Sequence, residues 1–180
     1  MAPPHGALPR GPHRLARDEV LASQRGRLLE AIAEAVAAKG YGATSVADVI
    51  GRAGVSRKTF YEHFRDKEAC FLAAYDTGVD VLMATMRAGE PIRAYLETLS
   101  AEPAFARTFL IEIGAAGPRA IARRQQVHEA FAAMISAGPE ALAVIGALNE
   151  VVTREVAAGR TAELPQLRPF LTDVFERLTR

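Results

Sequence analysis

Residues 42–67 read GATSVADVIGRAGVSRKTFYEHFRDK, and they spell two short helices around a tight turn. Ser45 followed by Asp48 is a capping-box pattern, in which the serine oxygen and the carboxylate satisfy orphan N–H groups reciprocally. Val46, Val49 and Ile50 recur at i, i+3 and i+4, which predicts one buried stripe. Gly54 comes next, the residue type that leaves a helix through positive φ at no steric cost. Ser56 is a second N-cap and places Arg57, Lys58 and Thr59 in the first turn of the helix it starts. Phe60 and Phe64, at i and i+4, point back into a core. The pair is a helix-turn-helix whose second helix carries polar and basic residues at its exposed N-terminal end. Reading a major groove requires that placement, so DNA binding is the expectation.

Outward from this pair the pattern stays helical. Upstream, Leu28, Leu29, Ile32 and Val36 repeat at helical spacing from about Glu19 until Gly40 ends the run. Downstream, Phe71, Leu72, Tyr75, Val79, Leu82, Met83 and Met86 line one face of a long helix from Lys67, a rod of roughly 30 Å. Breaks at Gly89-Glu90-Pro91, at 114–118 and at Gly138-Pro139 separate further amphipathic segments. One holds Phe105, Phe109, Leu110 and Ile113, and another holds Ile121, Val127, Phe131, Met134 and Ile135 as its inner face. The last two carry Leu142, Ile145, Leu148, Val152 and Val156, then Leu167, Phe170, Leu171, Val174, Phe175 and Leu178. No strand-like alternation of useful length occurs. The expected fold is all-α with about nine helices. It divides into an Arg- and Pro-rich flexible arm (1–18), a helix-turn-helix DNA-binding domain (19–66) and a helical body (67–180). The arm, with Arg10, Arg14 and Arg17, has two readings: contact along a minor groove, or a leader that touches nothing.

Composition narrows the class. The chain is 49% apolar and 24% charged, enough to bury a core, and its net charge is +1. That total hides an asymmetry, because residues 1–67 hold eleven Lys/Arg against seven Asp/Glu, and residues 68–180 eleven against fourteen. A basic head on a mildly acidic body is the electrostatic footprint of a DNA binder with a separate partner domain. No run of eighteen uncharged apolar residues exists and the N-terminus lacks an apolar segment, so neither a membrane span nor a secretory signal is expected. The single cysteine, Cys70, rules out an internal disulfide and fits a reducing cytoplasm, and its neighbours Phe71 and Leu72 point to packing. No GxGxxG, Walker loop, HExxH, GxSxG, CxxC or Glu-x-x-His motif is present, so no enzyme, cofactor or metal is expected. The four histidines (His5, His13, His63, His128) are scattered.

The stretch GVSRKTFYEHFRDKEAC resembles the recognition-helix signature of the TetR family of bacterial transcriptional regulators. There a small residue, a valine and a capping serine lead into the pattern Phe60-Tyr61-x-x-Phe64-x-x-Lys67. The upstream stretch RGRLLEAIAEAVAAKGYGATSVADV is similar to the family's first helix and its Lys39-Gly40-Tyr41 break. The resemblance is strong from about Glu19 to Tyr75 and weaker beyond. It implies that Arg57, Lys58 and Thr59 face the major groove, with either basic residue donating to guanine. Lys58 stands near a position where members often have glycine. The resemblance further implies that Tyr61, His63 and Lys67 hold phosphates. Ser56 belongs to the same surface, and Thr44 and Ser45 open the first helix of the motif, where free N–H groups attract anions. Plainer readings stand beside these: Tyr61 closes the head's core, His63 is a surface histidine, Lys67 is a solvated charge and Thr59 caps backbone.

For the body, the resemblance implies a ligand-binding and dimerisation domain. The expected homodimer forms through the last two helices and sets two heads on a near-palindromic operator in double-stranded DNA. The candidate pocket residues are Tyr95, Phe105, Phe109, Phe131 and Met134, with Glu112 and His128 as polar anchors. An aromatic stripe of this kind equally fits an ordinary core. Short connections around Gly89-Glu90-Pro91 and Gly138-Pro139 imply a small pocket. The expected function is a cytoplasmic regulator, a repressor released from its operator by a small apolar effector. The alternative is a DNA-binding regulator whose body binds a protein partner and no small molecule.

Overall fold

The computed structural model describes residues 17–135 and 139–179. Among them every regular element is helical. The first helix, α1 (Arg17–Lys39), starts slightly before Glu19, and the rest of the expected arm lies outside the described residues. It is followed by α2 (Val46–Ala53), α3 (Arg57–His63), α4 (Lys67–Ala88), α5 (Pro91–Ala101) and α6 (Pro103–Leu110). A 3₁₀ turn (Glu112–Ala115) leads into α7 (Pro118–Ala132), then α8 (Pro139–Ala157), a second 3₁₀ stretch (Thr161–Leu167) and α9 (Arg168–Leu178). The chain divides into two compact units, one up to Ala74 and one from Tyr75, so the division falls inside α4 rather than at its start.

In the first unit α1 packs on α2 and α3. Leu28, Ile32, Val36, Val49, Phe60 and Phe71 are all completely buried there, while Leu29 is half-buried. The helix ends follow local chemistry. Gly40 and Gly54 take positive φ, 82° and 62°, which favours glycine at both exits. The Arg27 guanidinium on α1 donates to Ala53 O at 2.8 Å, satisfying a carbonyl at the C-terminus of α2, where a cation also suits the helix dipole. Cys70 is fully buried and its Sγ lies 3.7 Å from Leu28 O as a weak donor. Burial pushes this thiol up to about 12, so it packs as an uncharged group.

In the second unit, α5, α6, α7 and α9 each carry proline in the first turn. Proline suits that position because its missing N–H is one that a helix start leaves unpaired anyway. The unit's centre is a cluster of rings. Tyr75 stacks on Phe109 with centroids 5.4 Å apart, Phe105 lies 5.3 Å from Phe109, and Phe131 meets Phe109 edge-on at 6.3 Å. Gly78 on α4 makes room for this cluster, since a Cβ there would sit 2.2 Å from Phe105 Cε2. Arg123 on α7 donates to Asp76 on α4 at 2.6 Å. Helix α4 is long and apolar enough by composition to cross a membrane, but Asp76 and Asp80 interrupt it, and Tyr75, Val79, Leu82 and Met83 are buried in the protein.

Three expectations about the body need correction. The helix with Phe105 and Phe109 stops at Leu110, and Ile113 reaches the core from the 3₁₀ turn instead. Ile121, expected inside, is 40% exposed, and Met134 is 36% exposed. The final stripe is not one continuous helix: it breaks at Arg168, and of its members Phe170 and Leu178 are 53% exposed while Leu171 is buried.

Candidate nucleic-acid interface and cavity

The turn between α1 and α2 is held by polar groups on both sides. Ser45 Oγ accepts from Asp48 N at 3.3 Å, and Ser45 N donates to Asp48 Oδ2 at 2.8 Å, which completes the capping box. Lys39 pairs with the same carboxylate at 2.6 Å. Lys39, then the Ser45 side chain and backbone, hold the Asp48 carboxyl well below the usual carboxylate range. Thr44 is buried, and its hydroxyl donates to Gly40 O at 2.8 Å, so the side chain is engaged inside the turn. Lys67 reaches into the same turn. Its ammonium donates to Tyr41 O and Thr44 O, both at 2.8 Å, and lies 4.0 Å from the Tyr41 ring centroid. Partial burial lowers its affinity for the proton. Lys67 therefore ties the start of α4 to the loop before α2, with one ammonium hydrogen left over.

The α3 helix opens on a second cap. Ser56 Oγ accepts from Thr59 N at 3.0 Å and shares a 2.9 Å hydrogen bond with Thr59 Oγ1. This leaves Arg57 and Lys58 as the exposed side chains of the first turn. Among the described residues, Arg57 has no ion-pair partner. Lys58 has an 87% exposed side chain and a long 3.8 Å pairing with Glu62. Such an exposed i,i+4 pair contributes only about 0.3–0.5 kcal/mol, so it breaks at little cost. Tyr61 is 49% exposed and meets Phe60 edge-on at 5.3 Å, which combines an inward ring contact with outward access. His63 is half-buried, and its enclosed Nε2 has no hydrogen-bond partner among the described residues; burial, then the Arg25 charge, lowers its pKa and keeps it neutral.

A further cation belongs to this region. Arg25 on α1 lies 4.9 Å from the centroid of the Phe64 ring, near His63. No motif marks Arg25 in the sequence; its position three-dimensionally beside α3 does. By contrast Arg52 is paired with Glu34 at 3.5 Å.

The second unit holds a partly open cavity of about 540 Å³, lined by residues of α4, α5, α8 and α9 and by residues at and beyond the end of α7. Of the pocket candidates, Tyr95, Phe131 and Met134 line it. Phe105 and Phe109 belong to the ring cluster with Tyr75, and neither is part of the lining. Glu112 is buried on the 3₁₀ turn, where Arg107 pairs with it at 2.9 Å. His128 is half-buried on α7 outside the lining, and burial lowers its pKa. Asn149, absent from the candidates, accepts a 3.0 Å hydrogen bond from Tyr95 Oη on the cavity wall. A lone Asn inside an apolar stripe was the available signal. Among the described residues no three of His, Cys, Asp and Glu cluster closely enough to hold a metal ion.

Residues 28–74 match the family model described as bacterial regulatory proteins, tetR family. The HTH-type transcriptional activator FasR of Mycolicibacterium smegmatis is 39% identical over 84 residues, which cover 47% of this chain and 36% of that protein. The matched segment thus spans about a third of that relative's length. Among solved structures, the fatty acid degradation regulator FadR of Bacillus halodurans is similar with a TM-score of 0.67, at 18% identity over 85% of this chain and 96% of that one. FadR of Bacillus subtilis, in complex with stearoyl-CoA, gives a TM-score of 0.67 at 16% identity, with 85% and 96% coverage. A tetR-family regulatory protein from Rhodococcus RHA1 gives 0.65 at 21%, with 87% and 95% coverage. At these identities the structural likenesses speak for the fold, and the head's match speaks for the family. The doubly capped helix-turn-helix is therefore similar to the DNA-binding head of the tetR family of bacterial regulatory proteins over residues 28–74, and the described residues share the all-helical fold of the regulators above.

Proposed function

We propose that this regulator is a cytoplasmic homodimeric repressor that binds a near-palindromic operator and leaves it when a small, largely apolar molecule enters the body. The observation that carries the DNA half is the first turn of α3, where the Ser56 cap fixes the helix start and leaves Arg57 and Lys58 exposed. A bidentate contact from either to guanine is worth about 1–3 kcal/mol of discrimination. Tyr61 and Arg25 supply phosphate contacts beside them, and Ser45, Ser56 and Thr59 present the capped helix starts. Thr44 and Lys67 support the turn from within in this reading. His63, kept neutral, contributes at most a hydrogen bond.

Dimerisation is supported by apolar side chains left uncovered on the last two helices. Leu142 is 42% exposed and Phe170 and Leu178 53%. Gly146 on α8 faces open space, which leaves room for a second helix to approach closely. Entry of a ligand into the cavity is supported by its apolar walls and by the stearoyl-CoA complex of a protein with the same fold. Helix α4 begins in one unit and ends in the other, so it is the covalent path by which occupancy of the cavity reaches the head. The ligand acts only if it favours the DNA-incompetent state, since equal affinity for both states shifts nothing.

Fluorescence anisotropy with DNA from upstream of the protein's own gene, against scrambled DNA, tests the reading. Tight binding to the first that Arg57→Ala weakens selectively supports it. Equal binding to both, with a steep salt dependence, reduces the interaction to phosphate contacts and sinks it. A promoter–reporter measurement reads the sign of regulation, which matters because the FasR relative is named an activator.

A further inference from the structure

The cavity's chemistry narrows what enters it; this step rests on the reading of the cavity as the effector site. At about 540 Å³ it falls in the ordinary range for small-molecule pockets, roughly 300–1,000 Å³. Its walls are made by apolar side chains such as Met86, Ile92, Phe131, Leu148 and Phe175. None of the described residues that line it is Lys, Arg or His, whereas two are carboxylates, Glu90 and Glu176. Arg168, the cation beside Glu90, is held by it through two hydrogen bonds of 2.7 and 3.2 Å. An anion seated against these walls would therefore give up water without gaining a cation from the described lining, a cost that grows as the walls become more apolar.

One polar pair stands in the wall. Tyr95 Oη donates to Asn149 Oδ1 at 3.0 Å, and Asn149 Nδ2 reaches Thr153 Oγ1 at the long distance of 3.5 Å. The pair thus keeps a phenol oxygen able to accept and an amide hydrogen able to donate, side by side. Burial pushes the Tyr95 phenol above its ordinary range, so it stays protonated and neutral. We infer that the cavity selects an uncharged, mainly apolar molecule bearing a single hydroxyl or carbonyl, seated on Tyr95 and Asn149, and that it discriminates against acyl anions and acyl-CoA thioesters.

A ten-carbon series isolates the head group: decan-1-ol, decan-2-one, decanoate, decanoyl-CoA and decyltrimethylammonium, all below their micelle concentrations. Binding to the full protein is measured by calorimetry, and displacement from operator DNA by anisotropy. The alcohol and the ketone are expected to bind at least about tenfold tighter than decanoate and decanoyl-CoA. Tyr95→Phe is expected to weaken decan-1-ol by about tenfold, the size of one buried hydrogen bond. Its unfolding midpoint and DNA affinity, checked alongside, keep a folding defect from passing as a binding one, and Asn149→Ala provides a second route to the same loss. Tighter binding of decanoate, decanoyl-CoA or the ammonium than of the alcohol overturns the ligand class while leaving the effector cavity standing. Wild-type affinity for decan-1-ol in folded Tyr95→Phe overturns the anchor. If no member of the series binds a protein that still holds its operator, the effector cavity itself is lost.

Discussion

In the head, turns and helix ends are pinned by polar groups: Ser45 with Asp48 and Lys39, Ser56 with Thr59, Lys67 with two carbonyls, Arg27 with a third. In the body, helices open on proline and the interior closes by fitting rings into notches, as Phe105 fits against Gly78. The two regions therefore respond to different insults. Polar pins depend on charge state and on single atoms, while interlocked rings depend on volume. A head built from hydrogen-bonded turns fixes where α2 and α3 start, and a body built from interlocked rings is sensitive to the size of each side chain.

The largest expected effect tests whether this contrast is complete. Phe60 on α3 is fully buried, so Phe60→Ala should cost about 3–5 kcal/mol, as large aromatic truncations do. Urea unfolding read by circular dichroism would show it, together with loss of operator binding. A loss below about 1 kcal/mol would mean that the polar pins hold the head without its core. Next comes Gly78→Ala. Helix propensity alone would favour alanine by up to about 1 kcal/mol, but the clash with Phe105 costs about 1–3 kcal/mol, so the net change should be destabilising. Phe105→Leu in the same chain should recover part of it, and a rise in stability for Gly78→Ala alone would show that the notch yields freely.

Ser45→Ala should cost about 1 kcal/mol through the lost cap. It also sharpens the pH side of the contrast. Because the folded state holds the Asp48 carboxyl below its usual value, the stability it contributes is present above the ordinary aspartate pKa of about 4 and is lost as pH falls below it. Stability measured from pH 6 down to pH 3 should fall somewhat less steeply in Ser45→Ala than in the parent; parallel curves would mean that Lys39, and not Ser45, holds the Asp48 carboxyl down. The smallest effect belongs to Tyr75→Phe. The Tyr75 hydroxyl is buried with no hydrogen-bond partner among the described residues, so its removal should be neutral or stabilise by up to about 1 kcal/mol. A clear drop in thermal midpoint would reveal a partner for that hydroxyl.

The same contrast explains what could be read from the chain. Caps and exits are patterns within three or four residues, so Ser45, Gly54 and Ser56 announced the head's turns before any packing was known. The body's boundaries were less legible because a 3₁₀ turn such as Glu112–Ala115 is set by what surrounds it and has no strong local signature. Periodicity marks an apolar face but not what covers it, which is why Ile121, Phe170 and Leu178 looked internal and are exposed. Nor does an aromatic stripe distinguish a filled core from the wall of a cavity. Phe109 and Phe131 are neighbours in space, yet of the two Phe131 alone borders the void. Lys67 shows the limit for charged residues: its spacing fits a phosphate contact, and folding turns its ammonium onto two carbonyls.

The buried thiol of Cys70 has a practical consequence. It is the chain's one cysteine, and at neutral pH it is a protonated, enclosed group that alkylating reagents reach slowly. A cysteine introduced at an exposed position such as Val81 can then carry a fluorophore with little background from the native residue. The slow reaction of Cys70 itself becomes a clock, timing how often the head opens in free protein and when it is clamped on DNA.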